Sequence, residues 1–230
     1  MKVIGLLGGM SWESTALYYR WINEEVKKRL GALHSARIAM VSVDFHEIEM
    51  LQRAGQWDRA GEVLAQAAQQ VEAAGADFLL ICTNTMHKVA PQIENSISIP
   101  LLHLADATAA HVKQNNIKTV GLLGTRFTME QAFYKDRLIE RHGLNVIVPC
   151  EKDRQRVHKI IFEELCLGIV KEASRREYLR IMAQMQEQGA EGIIEGCTEI
   201  VMLVQQTHTN TPLFDTTEIH AKQAVTLALN

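Results

Sequence analysis

The chain has 230 residues, 47% of them hydrophobic, with 24 basic and 27 acidic side chains for a net charge of -3. That is enough apolar material for one large core or two modest ones, and the absence of a basic block excludes tracking along a nucleic-acid backbone. The apolar run in MKVIGLLGG stops at two glycines, too short for a signal peptide or a membrane span, so the expectation is a cytoplasmic protein with no membrane partner.

In chain order the pattern alternates between short, continuous apolar runs and longer stretches of helical period. Strands are expected at 3–7, 38–43, 78–81, 120–123, 146–148 and 192–194, each branched and apolar enough to be covered on both faces. Helices are expected at 14–30, 57–74, 105–113, 129–141, 154–167, 174–188 and 217–229. The stretch DFHEIEMLQRAGQWD after the second strand reads as an irregular lid or loop.

The chain also repeats itself. IGLLGGMSWESTALYYRWI (4–22) aligns without a gap on VGLLGTRFTMEQAFYKDRL (120–138), an offset of 116 residues. GADFLLICTNTMHK aligns on GAEGIIEGCTEIVM, with Cys82 and Cys197 at an offset of 115, and PLLHLAD (from Pro100) aligns on PLFDTTE (from Pro212) at 112. Three matches in one order at nearly one spacing indicate two copies of a unit. The fold class expected is α/β: two pseudo-symmetric three-layer α/β/α lobes with mostly parallel sheets. The first lobe is expected to span 1–113, completed by the C-terminal helix at 214–230, and the second 114–213.

Chemistry in such folds sits where strands end. Cys82 follows FLLI and precedes Thr83, Asn84 and Thr85; Cys197 follows GIIEG and precedes Thr198 and Glu199. A thiol at a strand-to-helix corner meets the positive end of a helix, which is expected to lower its pKa towards neutrality. Two such thiols suit inversion of a carbon centre, one removing a proton from one face while the other returns a proton to the opposite face. Cys150 and Cys166 lack polar company and read as core filler. Gly8 and Gly9, ahead of a helix capped by Ser11 or Ser14, read either as an amide cradle for a small carboxylate, with Met10 and Trp12 as walls, or as an ordinary structural turn. No dinucleotide or Walker motif is present, and His87, His158 and Glu199 have no metal-ligand spacing, so neither cofactor nor metal is expected. Asp44, His46, Gln52 and Arg53 are further candidates from the loop, with charged loop residues ordinarily just solvated.

Through GGMSWEST, CTNTMHK around Cys82 and GCTE around Cys197, the chain resembles the aspartate/glutamate racemase family of pyridoxal-independent amino-acid racemases over essentially its whole length. The resemblance implies that Cys82 and Cys197 are the paired acid and base. It also implies that Met10, Thr83, Asn84, Thr85 and Thr198 hold the substrate carboxylate and ammonium, that Gln52 reaches the pocket, and that the protein is a homodimer. Aspartate or glutamate would need a basic residue for the distal carboxylate; Arg53, Arg126 and Lys171 are the candidates. Without one, a neutral side chain avoids an unpaired buried charge, so a broad-specificity racemase is expected ahead of a strict one. The alternatives are an isomerase or decarboxylase of a non-amino dicarboxylate, and a small-ligand binding module.

Overall fold

The computed structural model describes residues 1–230. The first half runs β1 (Ile4–Gly8), α1 (Trp12–Leu30), β2 (Ile38–Ser42), α2 (Phe45–Arg53), α3 (Trp57–Ala73), β3 (Phe78–Ile81), a 3-10 turn (Thr85–Val89) and α4 (Ala90–Glu94). Then come α5 (Leu104–Gln114), β4 (Thr119–Gly124), α6 (Arg126–Glu130), α7 (Ala132–Asp136), β5 (Asn145–Ile147), α8 (Glu151–Glu163) and α9 (Glu172–Glu187). The chain finishes with β6 (Gly192–Gly196), α10 (Ile200–Leu203), β7 (Leu213–Asp215) and α11 (Thr216–Leu229). These elements form two compact units, 1–104 with 217–230, and 105–216.

In the first unit the strands are parallel in the order β2-β1-β3, with Ile4 opposite both Ile38 and Phe78. Alternate residues face opposite ways along a strand, and here both faces are covered. Leu7, Leu79 and Ile81 pack with Leu64, Ala68 and Val71 of α3. Ile4, Leu6, Phe78, Leu80 and Cys82 pack with Tyr18, Ile22 and Val26 of α1 and with Ala221, Ala224 and Val225 of α11. This two-sided burial is why the strands are apolar without alternation.

The second unit holds a parallel sheet in the order β5-β4-β6-β7. Leu123 and Ile193 pack against Val157, Ile160 and Ile161 of α8 and Tyr178, Ile181 and Met185 of α9. The repeat extends to strand pairing. Leu101 makes an isolated parallel bridge to Leu79, and Leu213 of β7 pairs with Ile193 at the corresponding place.

Helix α5 groups with the second unit, which spans 105–216, while the first comprises 1–104 and 217–230. Ion pairs from α5 to the segment 137–142 lie within the second unit. Asp106 accepts from Arg137 Nε at 2.6 Å and Nη2 at 2.7 Å, and His142 Nε2 lies 2.8 Å away. Several expectations need correcting. The supposed loop after β2 is helix α2, started by Asp44, whose carboxylate accepts from the His46 N–H at 3.0 Å. The helix expected at 129–141 is broken at Gln131, whose backbone is extended (φ -91°, ψ 150°), into α6, α7 and a π turn (Arg137–Arg141). The helix expected at 154–167 starts earlier, at Glu151, and gives way after Glu163 to a 3-10 turn closed by left-handed Gly168.

The β1–α1 corner is held by specific contacts. Ser11 is the N-cap, its Oγ accepting from the Ser14 N–H at 3.4 Å, and Thr125 caps α6 in the same way from the Thr128 N–H at 3.3 Å. Gly9 has φ +91°, and a Cβ there would lie 2.2 Å from the Val43 carbonyl oxygen. Gly9→Ala is expected to destabilise the protein by at least about 2 kcal/mol, since both backbone strain and a backbone clash oppose it. A urea-unfolding midpoint equal to that of the unsubstituted protein would contradict this.

Candidate active site

Cys82 is the first residue past β3, and its N–H still donates to the Leu7 carbonyl at 2.9 Å, as though the strand continued. The chain then turns sharply, with the Thr83 N–H donating to Ile81 O at 2.9 Å. Ser14, in the first turn of α1, donates its hydroxyl to the Cys82 carbonyl at 2.9 Å. The cap region of α1 thus pins the thiol-bearing residue. Asn84 and Thr85 are buried and Thr83 is half-buried. Gln52, carried in by α2, is buried with its Nε2 2.8 Å from Met86 Sδ, so it meets the turn that bears Thr83, Asn84 and Thr85. Met10 is buried in the cluster on the α3 face. Within the first unit, four expected substrate contacts therefore gather around the Cys82 turn, namely Gln52, Thr83, Asn84 and Thr85.

The second corner has different chemistry. Cys197 donates its thiol proton to Glu199 Oε2 at 2.9 Å, and the Thr198 hydroxyl donates to the same oxygen at 2.8 Å. Cys197 packs with the α8 and α9 cluster, whereas Cys82 packs on the α1 and α11 side of its own sheet. The extra residue that lengthens the repeat offset to 115 is Gly196, which ends β6. A Cβ on it would sit 2.8 Å from Leu123 O, so only glycine lets the strand end this close to its neighbour.

The expected lowering of both thiol pKa values is overturned. Burial pushes the Cys82 thiol well up, and Cys197 is pushed up by burial first and then by the negative charge of Glu199. The helices at the two corners are too short to counter this: one is a five-residue 3-10 turn and the other, α10, has four residues. Both resting thiols are therefore protonated at neutral pH.

Other expected positions lie elsewhere or serve the fold. The Gly9 N–H donates to Thr15 Oγ1 at 2.8 Å, which makes GLLGGMS a structural turn instead of an anion cradle. Trp12 is exposed and walls no buried pocket. Asp44 is the α2 cap, and Arg53 is an exposed partner of Glu49 on the same helix. Lys171 pairs with Glu164 at 3.3 Å, and His158 accepts from the Arg126 N–H at 3.2 Å on a partly exposed face. Cys150 and Cys166 are exposed and fill no core. One residue passed over is Glu195, 4% exposed on β6, whose carboxyl is held well above the usual range by burial and then by nearby Asp215. Its signal was a lone acid inside the apolar run GIIEG.

Residues 7–224 match the sequence model of a family described as Asp/Glu/hydantoin racemase. The chain belongs to this racemase family. A broad-specificity amino-acid racemase, RacX, from Bacillus subtilis (strain 168) is 24% identical over 99% of this chain and 98% of its own. A crystal structure of a proposed Asp/Glu racemase from Yersinia pestis is 56% identical over 100% of both chains, with a TM-score of 0.95. An aspartate racemase homologue from Pyrococcus horikoshii OT3 is 32% identical over 100% of both chains, with a TM-score of 0.87. The α/β architecture with two parallel sheets is that of the family.

The carboxylate beside Cys197 gives this member of the family a measurable asymmetry. Glu199→Gln removes a negative charge that raises the Cys197 pKa, so more thiolate forms at a given pH. Iodoacetamide alkylation of Cys197, followed by peptide mass spectrometry, is expected to shift to lower pH and to speed up by about tenfold for each unit of pKa lost. The Cys82 profile is expected to stay in place; an unmoved Cys197 profile would contradict the account.

Proposed function

We propose that the protein is a cofactor-independent amino-acid racemase of broad specificity, interconverting L and D forms by two-base proton transfer at the α-carbon, with Cys82 and Cys197 as the acid–base pair. The observation that carries this reading is a buried thiol just past the end of the corresponding strand in each of two repeated units. In one direction a thiolate takes the α-proton while the other cysteine's thiol gives its proton to the opposite face; the roles exchange for the other enantiomer. Because burial disfavours the thiolate, the working pair needs an acceptor and a counter-charge. Glu199, already 2.9 Å from Cys197 Sγ, is an acceptor for its proton, and the substrate ammonium supplies positive charge. Thr83, Asn84, Thr85 and Thr198, with Met10 and Gln52, are the residues proposed to hold the substrate carboxylate and ammonium.

Broad specificity is favoured by the basic residues. No lysine or arginine is buried; Arg53 and Lys171 already have acidic partners, and Arg126 is exposed. A distal carboxylate brought into such a site would lack a buried cation, whereas a neutral side chain needs none. The reading is also supported by likeness to the Bacillus subtilis relative, described as a broad-specificity amino-acid racemase. No helix is long and apolar enough to cross a membrane, and all four cysteines are free, which suits a reducing cytosol. A homodimer is proposed from the family resemblance.

Chiral chromatography on a panel of amino acids tests the proposal. Neutral side chains are expected to be racemised faster than aspartate or glutamate. Cys82→Ser and Cys197→Ser are each expected to lower kcat about a thousandfold while leaving the thermal midpoint nearly unchanged. Near-normal turnover in either variant would sink the two-thiol mechanism.

A further inference from the structure

Behind Cys82 lies a group of buried histidines outside the proposed acid–base chemistry. His87, His103 and His220 are 1%, 3% and 0% exposed, and the His87 ring centroid lies 4.5 Å from that of His103 and 6.1 Å from that of His220. They do not assemble a metal-ligand set. The hydrogen bonds of two of them fix both protonation and tautomer. His220 Nε2 lies 2.7 Å from the Leu102 carbonyl, which can only accept, so Nε2 carries the proton and Nδ1 accepts from the Tyr18 hydroxyl at 2.8 Å. Burial, together with the neighbouring His87, drives the pKa of His220 down to about 3, so its ring is neutral. His87 Nε2 accepts from the Leu104 N–H at 3.2 Å, which leaves Nδ1 as the protonated nitrogen, donating to the Thr83 carbonyl at 2.8 Å.

The turn after β3 needs such a donor. Thr85–Val89 is a 3-10 turn with no side-chain N-cap bond from Asn84. Instead, three successive carbonyls each have a specific donor. Ser14 Oγ donates to Cys82 O at 2.9 Å, His87 Nδ1 to Thr83 O at 2.8 Å, and the His87 N–H to Asn84 O at 3.2 Å. Two of the three come from His87. The other side of the same ring ties this turn to Leu104, where the segment after the Leu101 bridge ends.

We infer that His87 is a positioning residue for Cys82: as the neutral Nδ1–H tautomer it clamps the Thr83 carbonyl from inside the protein and braces the turn that carries the thiol against Leu104. Buried at 1% exposure, it acts through the Cys82–Thr85 backbone. The importance of this for turnover rests on the racemase reading, but the clamp itself does not.

The two halves of the ring's function can be separated. His87→Asn retains an N–H donor near the Nδ1 position and loses the long-range acceptor; His87→Gln places an amide near the Nε2 position and loses the short-range donor; His87→Phe loses both. In the full-length protein, alkylation of each cysteine by iodoacetamide is read by peptide mass spectrometry alongside kcat and KM. His87→Phe is expected to speed alkylation of the buried Cys82 by at least about tenfold without changing Cys197, and to lower kcat about a hundredfold with little change in KM. His87→Asn is expected to recover most of the kcat and the Cys82 protection, and His87→Gln much less. If His87→Phe does not fold, the contrast between Asn and Gln decides the question. Equal alkylation of Cys82 in all variants, equal change at both cysteines, or recovery by Gln as full as by Asn would overturn the inference. A protein without racemase activity whose Cys82 still responds as described would uphold the clamp and refute the functional reading.

Discussion

A parallel sheet covered on both faces leaves little room for polar chemistry along its strands. Ile4, Leu6, Leu7, Leu79, Leu80 and Ile81 in one unit, and Leu122, Leu123, Ile193 and Ile194 in the other, are all fully buried. Functional groups are therefore displaced to the carboxyl ends of the strands, where the chain must turn and backbone groups need partners. Cys82 and Cys197 occupy that position, and neighbouring polar groups bond to their corners: Ser14 and His87 in the first unit, Glu199 in the second. Glu195 is the exception, an acid on a strand whose carboxyl is held well above the usual range by burial and then by Asp215.

The duplication is faithful in topology and unfaithful in chemistry. Ser11 and Thr125 cap equivalent helices, and the Leu101–Leu79 bridge is matched by Leu213–Ile193. At the cysteines the copies part. At one corner an imidazole and a serine hydroxyl donate to the Thr83 and Cys82 backbone carbonyls, whereas at the other the thiol itself is hydrogen-bonded to a carboxylate. Burial is the largest influence on both thiols and raises each, and only Cys197 has a carboxylate beside it that raises it further.

The strands and the repeat were legible because a fully buried strand writes itself as an unbroken apolar run and a duplicated unit writes itself twice. The position of both cysteines just past a strand end was legible for the same reason. Shorter features were not. β7 is three residues, Leu213–Asp215, and its partner in the first copy is a single bridge at Leu101. Helix α2 was hidden by its charged residues, although Asp44 as a cap with Phe45, Ile48 and Leu51 on one face was there to be read. The partner of α5 could not be read from order along the chain, because it depends on the tertiary pairing of Asp106 with Arg137. The thiol pKa values went wrong in sign because helix starts are local and visible in sequence, whereas burial is collective and is not. The setting of His87 is illegible for a related reason: it depends on Leu104 and Thr83 meeting the two nitrogens of one ring.

The central claim is proton exchange at the α-carbon without any added cofactor. Incubating the intact protein separately with L- and D-amino acids in D2O, and following chirality together with deuterium at Cα, tests it most directly. The account predicts inversion of neutral amino acids accompanied by label incorporation at Cα from either enantiomer. Absence of both inversion and exchange across charged and neutral amino acids would contradict it.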